Sequence, residues 1–177
     1  MNNLSTYIIE KLKINKDSNK YHYHPKDKDE LRSLIEKLLE ERGNDTDLND
    51  SDVSDVTDMS NLFKDLDPYN INISDWNISN VESMWNMFSG CKNFNSDLSK
   101  WYVSNVNDMG TMFVACINFN SDLSKWDVSN VEDMSDMFDR CKNFNSDLSK
   151  WDVSNVEDMR RMFNGCKSLK NKPSWYK

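Results

Sequence analysis

Shifted against itself by 25 residues, this chain falls into register. Trp76, Trp101, Trp126 and Trp151 align, then Cys91, Cys116, Cys141 and Cys166, then Phe63, Phe88, Phe113, Phe138 and Phe163. Further columns run Val56 to Val156 and Met59 to Met159, with Met87, Met112, Met137 and Met162 between them and the Phe, and Leu62 in the first copy. A constant period without insertions means one small structural unit stacked on copies of itself.

Two shorter periods run inside the unit. Val131, Met134, Met137, Phe138 and Cys141 sit at offsets that, at about 100° per residue, cover an arc of roughly 120°, the signature of a short amphipathic helix. Ser129 or Asn130 would cap it, with Glu132 and Asp133 in the first turn. Leu123 to Val128 puts an aromatic and a β-branched residue on one parity and reads as a strand. The fold class expected is therefore an α/β repeat solenoid of about five strand-plus-short-helix coils, its strands about 4.8 Å apart in a parallel sheet. Trp, Phe and Met would form apolar ladders, and the Asn95 and Asn80 columns would hydrogen-bond along the stack through their amides. Residues 1–46 are expected to form an N-terminal helical, small α/β capping segment, and residues 47–177 the repeat solenoid with C-terminal capping residues. In the cap, Leu31, Leu34, Ile35, Leu38 and Leu39 share one face between Pro25 and Arg42, with Asp27 and Glu30 spaced as a capping box and Gly43 as the stop. Leu4, Ile8 and Leu12 suggest a shorter helix, and Tyr21 to His24 alternate like a strand. At the far end Pro173 and Tyr176 stand where Leu and Trp would fall, and a proline cannot extend a ladder.

The run Met-Phe-x-x-Cys-x-x-Phe-Asn-x-Asp-Leu-Ser-x-Trp-Asp-Val-Ser-Asn-Val-x-x-Met, from Met137 to Met159, resembles the BspA-type, leucine-rich-repeat-like family of bacterial and phage proteins. The likeness spans residues 47 to 172 or so. It implies a right-handed, leucine-rich-repeat-like solenoid and a role in binding other proteins, with many relatives acting as surface adhesins.

Composition narrows the functional classes. The 177 residues carry 22 Lys+Arg against 30 Asp+Glu, a formal charge of −8. Such an excess of acid disfavours direct binding to nucleic acid or an anionic membrane, and favours a basic protein partner. No hydrophobic run is long enough to span a bilayer, and no export leader is read at the N-terminus, so a cytoplasmic location is expected. The cysteines, one per repeat, have neither zinc spacing nor a disulfide framework and read as buried free thiols. His22 and His24 give only a weak metal signal. The Trp column could stack bases or sugars, but a buried ladder is the preferred reading, and the Met columns read as core fillers.

The acidic columns are the candidate partner-binding residues: Asp97, Asp122 and Asp147; Asp127 and Asp152; and Asp108, Asp133 and Asp158. Stacked like charges must be solvated, hydrogen-bonded in their own turns, or neutralised by a partner. Calcium is disfavoured because calcium-binding repeat loops are Gly-rich. The structural ladder residues are Trp76, Trp101, Trp126, Trp151, Phe88, Phe113, Phe138 and Phe163. No nucleophile elbow, phosphate loop or Cys-His constellation occurs, and ladders repeat one residue where catalysis needs different groups converging. The expectation is a non-catalytic protein-binding module without cofactor, metal or small-molecule ligand. One specific form is a phage or mobile-element inhibitor that docks its acidic surface on a basic, nucleic-acid-handling partner. The alternatives are a surface adhesin and a structural virion or scaffold component.

Overall fold

The computed structural model describes residues 21–177; the short helix expected around Leu4, Ile8 and Leu12 lies outside the described residues. Helix α1, Lys28–Arg42, forms where the apolar face ran. The Asp27 side chain accepts from the Glu30 N–H at 2.9 Å, while Glu30 Oε2 accepts from the Lys26 N–H at 3.1 Å, one residue before the cap. Gly43, at φ 86, closes the helix by donating to the Leu39 carbonyl, a backbone angle that costs glycine nothing. Leu31, Leu34, Ile35, Leu38 and Leu39 are all buried. Tyr21 to His24 makes no strand. It contributes one parallel bridge, Tyr23 to Ser51.

The repeat is not built of a strand and a helix, and the α/β, leucine-rich-repeat-like class is overturned: among the described residues α1 is the one helix, and pairing is reduced to isolated bridges such as Asp108 to Asp133. Each coil is instead a succession of tight turns. In one repeat Trp126 N donates to Leu123 O, Val131 to Val128, Met137 to Met134, Cys141 to Phe138 and Phe144 to Cys141. The apolar residues are thus the anchors of four-residue turns, set three residues apart. That spacing imitates the amphipathic arc of a helix, which is why the sequence pattern pointed to one. A helix is prevented by left-handed residues at two fixed places per coil, Asp136 (φ 54) and Arg140 (φ 63), matched by Asn86 and Gly90, by Thr111 and Ala115, and by Arg161 and Gly165. Each puts positive φ at the third position of a turn, where a type II turn requires it, and a right-handed helix cannot pass through it.

The remaining amides bind the coils together. Met134, Asp136, Phe138 and Arg140 donate to the carbonyls of Asp158, Arg160, Met162 and Asn164, residues of the next coil, at 2.7 to 3.0 Å. In the opposite sense Glu132 donates to Asn107 and Glu157 to Glu132. Equivalent side chains consequently stack. Phe88, Phe113, Phe138 and Phe163 lie with ring centroids 5.6 to 5.8 Å apart and nearly parallel planes. A second row, Phe94, Phe119 and Phe144, packs against the first at 4.0 to 4.1 Å. Such contacts each add about 0.5 to 1.5 kcal/mol beyond area burial.

Polar columns secure the same register. Trp76, Trp101, Trp126 and Trp151 donate their indole N–H to Leu48, Ile73, Leu98 and Leu123 carbonyls of the preceding coil. The Cys91, Cys116, Cys141 and Cys166 thiols do likewise toward Phe63, Phe88, Phe113 and Phe138. All four cysteines are free, and burial raises the thiol pKa of Cys91 and Cys166 to about 12. The Asn columns bridge coils by bonding to backbone: Asn95 Oδ1 accepts from Asn120 N and Asn120 Oδ1 from Asn145 N, while Asn105 Nδ2 donates to Ser79 O.

The two ends differ. At the first coil, α1 lies over the stack, and Arg32 Nη1 donates to the carbonyls of Asn61, Leu62 and Lys64 at 2.9 to 3.2 Å. Lys28 bonds Asp58 and Ser60. At the last coil Trp175, not Tyr176, continues the Trp ladder. Its ring lies 6.4 Å from that of Trp151 and its N–H reaches Leu148 O, while Tyr176 meets Phe163 edge-on. Pro173 is buried and accepts from Tyr176 N.

Candidate functional site

The acidic columns are first of all turn residues. An aspartate whose carboxylate accepts from the N–H two positions on closes a tight turn by itself. Asp97, Asp122 and Asp147 do this with Ser99, Ser124 and Ser149 at 2.9 to 3.0 Å. Asp127 and Asp152 do it with Ser129 and Ser154, and Asp108, Asp133 and Asp158 with Gly110, Ser135 and Arg160. Where earlier coils carry Asn72 and Asn77 instead, Ser74 and Ser79 make the same bond. The turn therefore needs the side-chain oxygen, and the charge is separate from it.

Their exposure divides them. Asp97, Asp122, Asp147, Asp127 and Asp152 are exposed; Asp108, Asp133 and Asp158 are half-buried. The Ser99 hydroxyl and N–H hold Asp97 below the usual carboxylate range, as the Ser124 and Ser149 N–H and hydroxyl do for Asp122 and Asp147, with Lys100, Lys125 and Lys150 helping. Asp152 is lowered by Ser154 in the same way. Asp97, Asp122 and Asp147 are therefore fixed in direction and ionised at neutral pH, one per coil in register.

Asp108 behaves oppositely. Burial, with Asp133 and Asp58 nearby, pushes its carboxyl up, outweighing the Gly110 N–H bond. Its column neighbours at the two ends have cations: Lys28 lies 2.6 Å from Asp58 and Arg160 3.2 Å from Asp158. A carboxyl whose folded pKa is raised favours folding below its unfolded pKa and loses that advantage as pH rises through the folded value. Asp108→Asn, which keeps the acceptor for Gly110, is expected to raise the urea midpoint at about pH 7. The difference from wild type should vanish below about pH 4, where the parent carboxyl is protonated too. Asp97, Asp122, Asp147 and Asp152 have the opposite sign: they favour folding above the carboxylate range and lose this as pH falls through their lowered values. Both proteins share that acid loss, so the difference between their midpoints isolates Asp108. An unchanged midpoint at neutral pH would show that water already compensates the charge.

The Trp column does not offer a stacking platform: Trp76, Trp101, Trp126 and Trp151 are 3 to 5% exposed. Phe88, Phe113 and Phe138 are fully buried and Phe163 nearly so. His22 and His24 lie beside Asp50 and Asp52, at 3.8 and 3.5 Å. Among the described residues no three His, Cys, Asp or Glu side chains come together as a metal set, and no helix is long and apolar enough to cross a membrane. The cavities beside α1, about 290 and 300 Å³, are lined by Lys, Arg, Asp, Asn, Ser, Thr and Leu side chains.

Two features of the surface escaped the sequence reading. Trp85, Tyr102 and Tyr69 are 43, 62 and 59% exposed. Trp85 and Tyr102 are column-breakers, standing where the other coils carry Ser60, Gly110, Ser135 and Arg160, and Asn77, Asp127 and Asp152; that departure was the available signal. The second is a polarity of charge: residues 159–177 hold six of the 22 basic residues and none of the 30 acidic ones. An overall charge conceals it, and a charge count taken coil by coil would have found it.

A protein-family model described as "Mycoplasma protein of unknown function, DUF285" matches residues 31–122 and 100–177. No curated protein and no solved structure matches the chain.

Proposed function

Because this chain belongs to the DUF285 family, a kinship that carries no activity with it, we propose from the surface itself that it is a non-catalytic, protein-binding repeat module whose acidic columns dock a basic partner inside the cell. The observation behind this reading is the row Asp97, Asp122 and Asp147, exposed, one coil apart and held ionised by their own turns. Fixed charges repeated at one spacing steer an oppositely charged partner into contact. The resemblance of the repeats to BspA-type proteins supports protein binding as the general role. In its most specific form the module is an inhibitor, encoded by a phage or mobile element, that covers the basic channel of a nucleic-acid-handling protein.

The turn chemistry supplies the test. The triple variant Asp97→Asn, Asp122→Asn, Asp147→Asn retains every turn acceptor and removes three charges, so the coils should stay folded, with a midpoint at neutral pH modestly below that of wild type. Proteins captured by wild type from its host are identified by mass spectrometry and titrated against both forms. The expected result is at least about tenfold weaker binding by the variant, and a comparable loss between about 50 and 500 mM salt. Equal affinity of the two proteins across that range would exclude this surface.

A further inference from the structure

In every inner coil the alternate amides of the turn segment point at the next coil and are taken there. Their equivalents in the last coil, Met159, Arg161, Phe163 and Gly165, have no acceptor among the described residues. Positive φ at Arg161 (55) and Gly165 (76) holds these N–H groups on one side. Alternate donors so arranged form a row that the oxygens of an extended segment can take one by one, as the carbonyls of the next coil do inside the stack.

Two independent observations say what belongs there. Val153, Val156, Met159 and Leu169 are only partly buried, whereas Val128, Val131, Met134 and Phe144, their equivalents one coil earlier, are 0 to 2% exposed. The same coil carries Lys167, Lys170 and Lys172 with no acidic residue after Asp158, besides Arg160, paired with Asp158, and Arg161, paired with Asp136 and Asp139. The occupant must therefore bring acceptors, apolar side chains and negative charge together.

A second copy of this chain does not meet those requirements. Tail to tail, a row of donors would face a row of donors. Head to tail, the complementary carbonyls of the first coil at Leu62 and Lys64 are occupied by Arg32, and α1 lies over them. A nucleic-acid strand would satisfy the donors and cations but leave the aliphatic side chains wet.

We propose that the coil of residues 159–177 docks an acidic segment of a partner protein. Its carbonyl and carboxylate oxygens take the amides of Met159, Arg161, Phe163 and Gly165, and its apolar side chains cover Val156 and Leu169. This surface has the opposite sign from the acidic columns, and the inference does not rest on them.

The test uses the full chain and three fluorescent probes of equal length: a peptide alternating Glu and Leu, one alternating Lys and Leu, and a single-stranded oligonucleotide. Anisotropy should report binding of the Glu-Leu peptide, and binding of the other two at least about tenfold weaker. The variant Arg160→Gln, Lys167→Gln, Lys170→Gln changes exposed side chains and should weaken the Glu-Leu peptide by about tenfold, while Glu40→Gln, at an exposed position of α1, leaves it unchanged. Hydrogen exchange supplies a readout free of mutation: the four amides should exchange quickly alone and slow on saturation with the peptide. Tighter binding of the oligonucleotide, protection confined to other coils, or an unchanged affinity of the triple variant would each overturn the proposal.

Discussion

Trp126→Ala is expected to lower the unfolding free energy by about 3 to 5 kcal/mol, the usual range for deleting a large aromatic from a packed core. Trp126 is 3% exposed, its ring stacks on Trp151 at 6.5 Å, and its N–H is the indole donor reaching Leu98. Three losses coincide at one residue: apolar burial, the stacked neighbour, and the indole hydrogen bond to Leu98 O, a carbonyl that then keeps only its bond from Trp101 N. Because a stack is held by nearest-neighbour terms, the position along it matters. Trp175→Ala at the end, partly buried and with ladder contact on one side, should cost clearly less than Trp126→Ala. Urea titrations of the two variants check this. Equal costs would mean that the coils do not unfold as a cooperative stack.

Leu34→Ala, in the covering helix, should cost about 2 to 5 kcal/mol, since the residue is fully buried on the face of α1 that covers the stack. The consequence should spread to the first coil. Arg32 holds the Asn61, Leu62 and Lys64 carbonyls only while α1 is docked, so loosening the helix exposes those groups to water. Hydrogen exchange would then quicken in α1 and in the first coil before it quickens in the coils around Trp126. Uniform loss of protection along the whole chain would mean that cap and stack form one cooperative unit.

Much of this was legible in the sequence because it depends on period alone. The 25-residue shift predicted which side chains are neighbours, and the Phe and Trp ladders are those neighbours in contact. The covering helix was legible from Asp27, Gly43 and five apolar residues on one face, since capping and amphipathicity are local. The turn role of the Asp columns was one of three options that stacked like charges left open; the hydrogen bonds to the serines selected it. What misled was Val131, Met134, Met137, Phe138 and Cys141. Offsets of three and four suit a helix, and they suit a chain of four-residue turns whose ends lie three apart equally well. Tyr176 was set at the Trp position by strict counting, whereas Trp175 enters the ladder one residue earlier, which packing tolerates and a register count does not.

The amino-acid sequence by itself determined the repeat length, the residues that face inward and the polarity of charge from acidic coils to a basic last one, because all three follow from which residue types recur and where. Only the tertiary structure decided that each coil is made of turns. That choice depends on whether Asp136 and Arg140 accept left-handed backbone angles, an expense no isolated segment would meet. It is offset by amide bonds to Arg160 and Asn164, which exist only once a second coil lies alongside.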